Sequence, residues 1–240
     1  MTTFFRIFLI FILFLGACST TKPSAVHPSL QATLWVQNSV EYDALSLMAY
    51  QTASSKLDTA LADRSWTAAL EQANTTVSNL PTAIVLDIDE TVLDNSPFQA
   101  RMIAQNSEYN PVEWEKWVLE ANADPVSGAI EFTKKAFDKG IIIFYLSNRE
   151  ATTEEATRKN LKELGFPLSE QMDVVLLKGE KENWTSSKIE RRKMVSSKYR
   201  ILMLFGDDFN DFLPAKNITE SDRDKLLTMY QANLGEKWFV

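Results

Sequence analysis

Four apolar runs fix most of what this chain can become. Ala83-Ile84-Val85-Leu86, Ile141-Ile142-Ile143-Phe144-Tyr145-Leu146, Val174-Val175-Leu176-Leu177 and Ile201-Leu202-Met203-Leu204-Phe205 carry no charge and no apolar–polar alternation. A strand with one wet face alternates; a strand covered on both faces does not, and parallel sheets are covered on both faces. Stretches of helical length separate the runs, at 127–139, 152–164 and 186–197. Strand–helix alternation builds βαβ units, so the expected fold is α/β, a doubly wound, Rossmann-like parallel sheet. Trp238-Phe239-Val240 predicts one further short strand. Upstream, residues 30–74 place Leu34, Tyr42, Leu45, Met48 and Ala49 at helical spacing, and Asn79-Leu80-Pro81 ends that pattern, which predicts two N-terminal helices. Residues 92–126 hold Phe98, Tyr109, Trp114 and Trp117 and read as a small helical cap inserted after the first strand. Residues 30–240 thus form one α/β domain with an embellishment.

The composition narrows the chemistry. A hydrophobic share of 45% supports a buried core. A formal net charge of -7 argues against nucleic acid as a partner, since that needs a basic face. It also means that an anionic substrate must meet cations supplied locally by the site. One Cys and one His leave no internal disulfide and argue against a His–Cys zinc cluster or a Ser-His-Asp triad. The single histidine, His27, sits among Ser, Thr and Pro and is expected to be a solvated linker residue.

The N-terminus reads as an address. Residues 1–17 hold Arg6, an apolar run from Ile7 to Leu15, then Gly16-Ala17, a pattern of signal peptides. The run is too short to cross a bilayer comfortably. Leu15-Gly16-Ala17-Cys18 resembles a bacterial lipobox, which implies cleavage before Cys18, lipidation of Cys18 and membrane attachment through acyl chains. Residues 18–29 then form a tether. Ser19 after the Cys favours the outer membrane, facing the periplasm or the cell surface.

In open α/β sheets, ligands bind beyond the carboxyl ends of the strands. Asp87-Ile88-Asp89-Glu90-Thr91 follows the first run and Ser147-Asn148-Arg149 the second. Ser186-Ser187-Lys188 opens the helix before the fourth run, and Gly206-Asp207-Asp208-Phe209-Asn210-Asp211 follows it. Crowded carboxylates repel one another unless a cation or protons relieve them. A hard divalent ion such as Mg²⁺ suits carboxylates and a phosphate oxygen, and lets a carboxylate approach an anionic phosphoryl group.

These segments resemble a known family. Ile84 to Ser96, Tyr145 to Arg149, Ser187-Lys188 and Met203 to Phe212 are similar, in order and rough separation, to the motifs of the class C acid phosphatases. Those are bacterial outer-membrane lipoprotein phosphatases and 5'-nucleotidases of the haloacid-dehalogenase (HAD) superfamily. The resemblance implies a HAD-like fold and a Mg²⁺-dependent phosphomonoesterase acting on nucleotides or small organophosphates, with activity favoured below neutral pH. It implies that Asp87 attacks phosphorus and that Asp89 is general acid and base. Asp87, Asp207 and the backbone carbonyl of Asp89 would bind Mg²⁺, with Asp211 supporting that shell. Ser147, Asn148 and Lys188 would hold the phosphate; Lys178, Lys181 and Lys193 are rivals of Lys188. Trp114 matches the position that stacks on a nucleobase or aromatic leaving group, whereas Trp117 reads as core packing. A homodimer is compatible with the resemblance.

Two rival activities need separating. Carbon–halogen hydrolysis in the same superfamily needs no general acid, so Asp89 favours phosphate. A silent surface lipoprotein would have no use for the whole acid set. Family members usually continue past the last strand with a Pro-, Tyr- and Trp-containing tail, so the aromatic clamp on a nucleotide is expected to differ here.

Overall fold

The computed structural model describes residues 26–240. The expected signal peptide, the lipidation candidate Cys18 and most of the expected tether lie outside the described residues. No helix among the described residues is long and apolar enough to cross a membrane.

Two N-terminal helices come first, α1 (Leu30–Asn38) and α2 (Val40–Ala62). The Ser39 hydroxyl accepts from Tyr42 N, and Glu41 and Asp43 occupy the positive end of the α2 dipole, so the boundary between the helices is written locally. Strand β1 (Thr82–Leu86) follows, then the segment 92–126. That segment contains the two-residue strands β2 (Leu93–Asp94) and β3 (Asp124–Pro125), paired antiparallel, and helices α3 (Ser96–Ala104) and α4 (Pro111–Glu120). Asn110 caps α4 by accepting from Val112 N and Glu113 N, and Pro111 supplies a helical φ at the first position.

The rest alternates as the apolar runs require: α5 (Ala129–Asp138), β4 (Ile142–Glu150), α6 (Glu154–Leu164), β5 (Val175–Lys178), α7 (Ile189–Ser196) and β6 (Arg200–Phe205). Helix α8 (Glu220–Tyr230) and strand β7 (Trp238–Phe239) close the described chain. The five main strands lie in the order β5-β4-β1-β6-β7, all parallel. The chain runs outward from β1 to β4 and β5, then returns to β6 on the other side of β1. The gap between β1 and β6 is therefore the switch point of a doubly wound sheet.

An aromatic column supports that point. Tyr50 of α2 stacks on Phe205 at the end of β6, with ring centroids 5.3 Å apart, and Phe205 stacks on Phe239 at 4.9 Å. The Tyr50 hydroxyl donates to the Thr91 carbonyl at 2.7 Å, so a helix far upstream holds the turn after β1. The expectation for His27 is corrected: its Nε2 pairs with the Ser107 carbonyl at 3.0 Å and its Nδ1 accepts from Ser29 N at 3.2 Å. A neutral ring protonated on Nε2 satisfies both bonds, and it ties the tether to the segment between α3 and α4.

Candidate active site

The turn that leaves β1 is tight. Asp87 N donates to the Phe205 carbonyl at 3.0 Å, which stitches the ends of β1 and β6. The Ile88 carbonyl then accepts from both Val92 N and Leu93 N at 2.9 Å. Glu90 takes the left-handed conformation, φ 58°, to make this turn. Such strain in a non-glycine residue persists only where the surroundings enforce it.

The turn after β6 carries the second acid group. Asp208 and Asp211 cap each other's ends of a short 3-10 turn: the Asp208 side chain accepts from Asn210 N at 2.8 Å, and Asp211 accepts from Asp208 N at 3.2 Å. Gly206 is required by space. A Cβ at that position would overlap the Asp211 side chain, so only glycine lets Asp211 reach the cluster.

Asp87, Asp207 and Asp211 bring carboxylate oxygens within 4.8 Å of one another. Lys188, at the start of α7, pairs with Asp87 and, at 2.5 Å, with Asp211. Both Asp87 and Lys188 are buried. Burial pushes the Asp87 carboxyl well above the usual carboxylate range; Lys188 opposes this, and Asp211, Asp89 and Asp207 reinforce it. Asp207 keeps exposed surface, yet partial desolvation holds it up, to about 6, with Asp211 adding to it. Glu90 is raised to about 8 by burial and then by Asp89 and Asp207. Burial disfavours the Lys188 ammonium, but Asp87 and Asp211 outweigh it and the net shift is upward. This is a set of oxygen donors short of positive charge, which suits a hard divalent cation.

The surrounding pocket holds about 230 Å³ and is lined by all four of these residues, by Asp89, Glu90 and Asp208, and by Asn148, Ser186 and Lys216. The structure thus joins the ends of β1, β4 and β6 with the start of α7, as the sequence required. Asp211 stands nearer the centre than expected: its carboxylate is inside the cluster and on Lys188. Of the rivals of Lys188, Lys178 pairs with Glu150 and Lys193 with Glu190, while Lys181 lies over the Trp184 ring.

Three expected contacts differ in detail. Ser147 is fully buried and does not line the pocket; its hydroxyl donates to Asp89 Oδ2 at 2.8 Å and accepts from Arg149 N at 3.0 Å. Asn148 lines the pocket, but its amide donates to the Ser186 carbonyl at 3.0 Å and accepts from Arg191 at 2.6 Å. Trp114 lies against Phe98, ring centroids 5.1 Å apart, and near Tyr109, and lines neither this pocket nor its neighbour.

That neighbour is an apolar cavity of about 370 Å³, whose lining includes Trp35, Tyr42, Leu45, Tyr50 and Phe205. Glu90 and Asp207 belong to both linings, so the two spaces meet at these side chains. The sequence assigns an aromatic role to the insertion; the aromatic residues beside the acidic pocket come from α1, α2 and the ends of β6 and β7.

Arg149 is the residue that sequence reasoning named without a role. It is buried, and its Nε donates to Asp89 Oδ1 at 2.9 Å. Its position directly behind Ser147-Asn148, at the end of a buried strand, was the signal available. Asn95 and Trp117 complete this side of the site: Asn95 Nδ2 donates to Asp89 Oδ1 at 3.0 Å, and Trp117 Nε1 donates to Asn95 Oδ1 at 2.8 Å.

Comparison with known proteins agrees with this geometry. A family model described as HAD superfamily, subfamily IIIB (acid phosphatase), matches residues 16–239. A class C acid phosphatase from Bacillus anthracis, solved with tungstate bound, is 36% identical with a TM-score of 0.78, covering 90% of this chain and 84% of that one. Acid phosphatase 1 of Solanum lycopersicum is 28% identical over 133 residues, 54% of this chain and 51% of that protein. The class B acid phosphatase of Morganella morganii is 24% identical over 158 residues, 62% and 64% of the two chains. The chain therefore spans between about half and two thirds of the length of these curated relatives.

Proposed function

Since the chain belongs to the acid phosphatase family, subfamily IIIB of the HAD superfamily, we propose that it is a phosphomonoesterase with Asp87 as nucleophile. One observation carries this reading: a buried carboxylate at the end of the central strand, paired with a buried ammonium and faced by two more acids. In the first step an Asp87 oxygen bonds to phosphorus and the bond from phosphorus to the ester oxygen breaks. The departing oxygen takes a proton from Asp89. In the second step Asp89 removes a proton from water, the water oxygen bonds to phosphorus, and the Asp87–phosphorus linkage breaks. One ester and one water become one alcohol and one phosphate.

Lys188 stays beside Asp87 throughout and offsets the repulsion between a carboxylate and an anionic phosphoryl group. Asn148, Ser186 and Lys216 stand on the pocket wall where phosphoryl oxygens would come. Asp87, Asp207 and Asp211, with the Asp89 carbonyl, would hold the divalent cation, proposed to be Mg²⁺. Bound there, it supplies charge neutralisation for the phosphoryl oxygens. The tungstate in the Bacillus anthracis enzyme is a tetrahedral oxyanion, which supports an oxyanion pocket in this chain too.

The leaving group extends past Glu90 into the aromatic cavity. An aromatic ring linked to a monophosphate fits that division, and nucleoside monophosphates are the proposed substrates. The protein is proposed to work outside the cytoplasm, held at the outer membrane by lipid on Cys18.

The test is turnover of an aryl phosphate by the purified protein with Mg²⁺ and then with excess chelator. Loss of turnover with chelator and recovery on adding back Mg²⁺ are expected. A protein that binds phosphate but hydrolyses no monoester with any divalent cation would be a binding protein, and the reading would end. Mass spectrometry of the N-terminal peptide checks the anchor: an unmodified Cys18 in protein from membranes would remove it.

A further inference from the structure

Trp117 and Asn95 are fully enclosed, at 3% and 0% exposure, yet they form a hydrogen-bonded chain that ends on Asp89, a residue of the pocket lining. Indole Nε1 donates a hydrogen bond and cannot accept one. Its bond to Asn95 Oδ1 at 2.8 Å therefore fixes which way round the amide lies. The Asn95 NH₂ must then face Asp89, where it donates to Oδ1 at 3.0 Å. Arg149 Nε, also without acceptor capacity, donates to the same oxygen at 2.9 Å. Oδ1 is thus held by two groups that can only donate. Oδ2 is held by the Ser147 hydroxyl at 2.8 Å. A hydroxyl can either donate or accept, so it tolerates Oδ2 with or without a proton.

We propose that Trp117 and Asn95 are positioning residues that fix the orientation of the Asp89 carboxyl group, holding Oδ1 with donors and leaving Oδ2 as the oxygen that exchanges a proton with the leaving group. This rests on the phosphatase reading above, with Asp89 as acid and base. Trp117 comes from α4 of the inserted segment, so the insertion reaches the proton-transfer group through Asn95. No water can replace the lost donor in so enclosed a place, and a half-satisfied buried network is costly. Without the indole N–H, only the long 3.5 Å bond from Arg149 Nη2 keeps the Asn95 oxygen turned away from Asp89. Once the amide turns, a lone pair faces a carboxylate, and Oδ1 loses one of its two N–H donors. Arg101 lies over the Trp117 ring at 4.8 Å, a contact that a phenyl ring keeps. Trp117→Phe therefore removes the donor with little change in packing.

The experiment measures kcat/KM of the full chain with Mg²⁺ for an alkyl phosphate (glycerol phosphate) and an aryl phosphate (p-nitrophenyl phosphate). This quantity covers the steps up to departure of the alcohol. An alkoxide needs the proton of Asp89; a nitrophenolate scarcely does. Trp117→Phe is expected to lower the alkyl value about 10- to 100-fold and the aryl value less than about 3-fold. Asn95→Ala should give the same pattern, and adding Trp117→Phe to it should not change the alkyl-to-aryl ratio further. Equal losses on both substrates, or additive losses in the double variant, would mean that Trp117 only packs. If Trp117→Phe does not fold, Asn95→Ala alone decides by the same ratio. A wild-type protein inactive on both esters would overturn the phosphatase reading itself, an outcome distinct from an unchanged ratio in an active one.

Discussion

The acidic pocket and the aromatic cavity share Glu90 and Asp207 but are built in opposite ways. The acidic pocket is made by loops at the ends of β1, β4 and β6 and by the start of α7, so its groups are fixed by the sheet. The aromatic cavity takes Trp35 and Tyr42 from α1 and α2, helices added outside the alternating core. Chemistry is thus tied to the part of the fold least able to move, and recognition of the leaving group to a part that can vary without disturbing it. If so, changes in the first region should strike every substrate alike, and changes in the second should sort substrates by their leaving group.

The largest effect is expected at Asp87. Asp87→Asn keeps the shape of the buried side chain but removes the attacking carboxylate, and turnover should fall by about 10⁴-fold or more on all esters. Lys188 keeps Asp211 as a partner, so the protein should still fold. Steady-state rates on an aryl and a nucleoside phosphate check this, with circular dichroism confirming the fold. Next is Gly206→Ala. Its Cβ overlaps Asp211, and relieving the clash must either move Asp211 from the cluster or strain the turn, at a cost of about 1–3 kcal/mol. Affinity for Mg²⁺ should fall roughly 10- to 100-fold. Metal titration by calorimetry measures it, and an unaltered titration curve would show that Asp211 is dispensable for the metal.

The third prediction concerns pH. Glu90 and Asp207 have folded-state pKa values raised to about 8 and about 6 by burial and neighbouring acids. A raised acid binds more protons in the folded than in the unfolded chain, so its contribution to stability is present at low pH and lost as pH rises through the folded value. In chelator, the melting temperature should therefore decline between about pH 4 and 8. Mg²⁺ takes over from the protons, so its stabilising shift should be larger at pH 8 than at pH 5. Glu90→Gln should flatten the upper part of the decline. Thermal melts of both proteins across this range test it, and parallel curves would remove Glu90 as a cause.

The same division explains what could be read from the residues alone. The strands were legible because runs such as Ile201 to Phe205 lack alternation, and the acids were legible because they follow those runs directly. Lys188 was legible only through resemblance, since three rival lysines, Lys178, Lys181 and Lys193, lie nearby in sequence. Helix α8 was missed because it buries no residue, which leaves no stripe to detect. Arg149, Asn95 and Trp117 were not assigned to Asp89 because their contacts span up to 60 residues and depend on where an inserted helix lands. That Trp114 lines neither cavity was not legible for the same reason. Several aromatic clusters occur among the described residues, and only the fold decides that the one with Trp35 and Tyr42 opens toward Glu90 and Asp207.

The smallest effect is also the one that tests the comparison most directly. Trp35 is 45% exposed, and its ring meets Tyr42 edge-on at 5.4 Å. It lines the aromatic cavity and is absent from the acidic pocket. Trp35→Ala should raise KM for a nucleoside monophosphate about 10-fold, the loss of one aromatic contact worth ~1.4 kcal/mol, with kcat little changed. A substrate with a small alcohol, such as glycerol phosphate, does not reach the cavity and should be unaffected. Trp114→Ala discriminates between the two aromatic clusters, since Trp114 lines neither space. If Trp114→Ala raised the nucleotide KM and Trp35→Ala did not, the leaving group would lie against the inserted segment, and the boundary drawn at Glu90 and Asp207 would be in the wrong place.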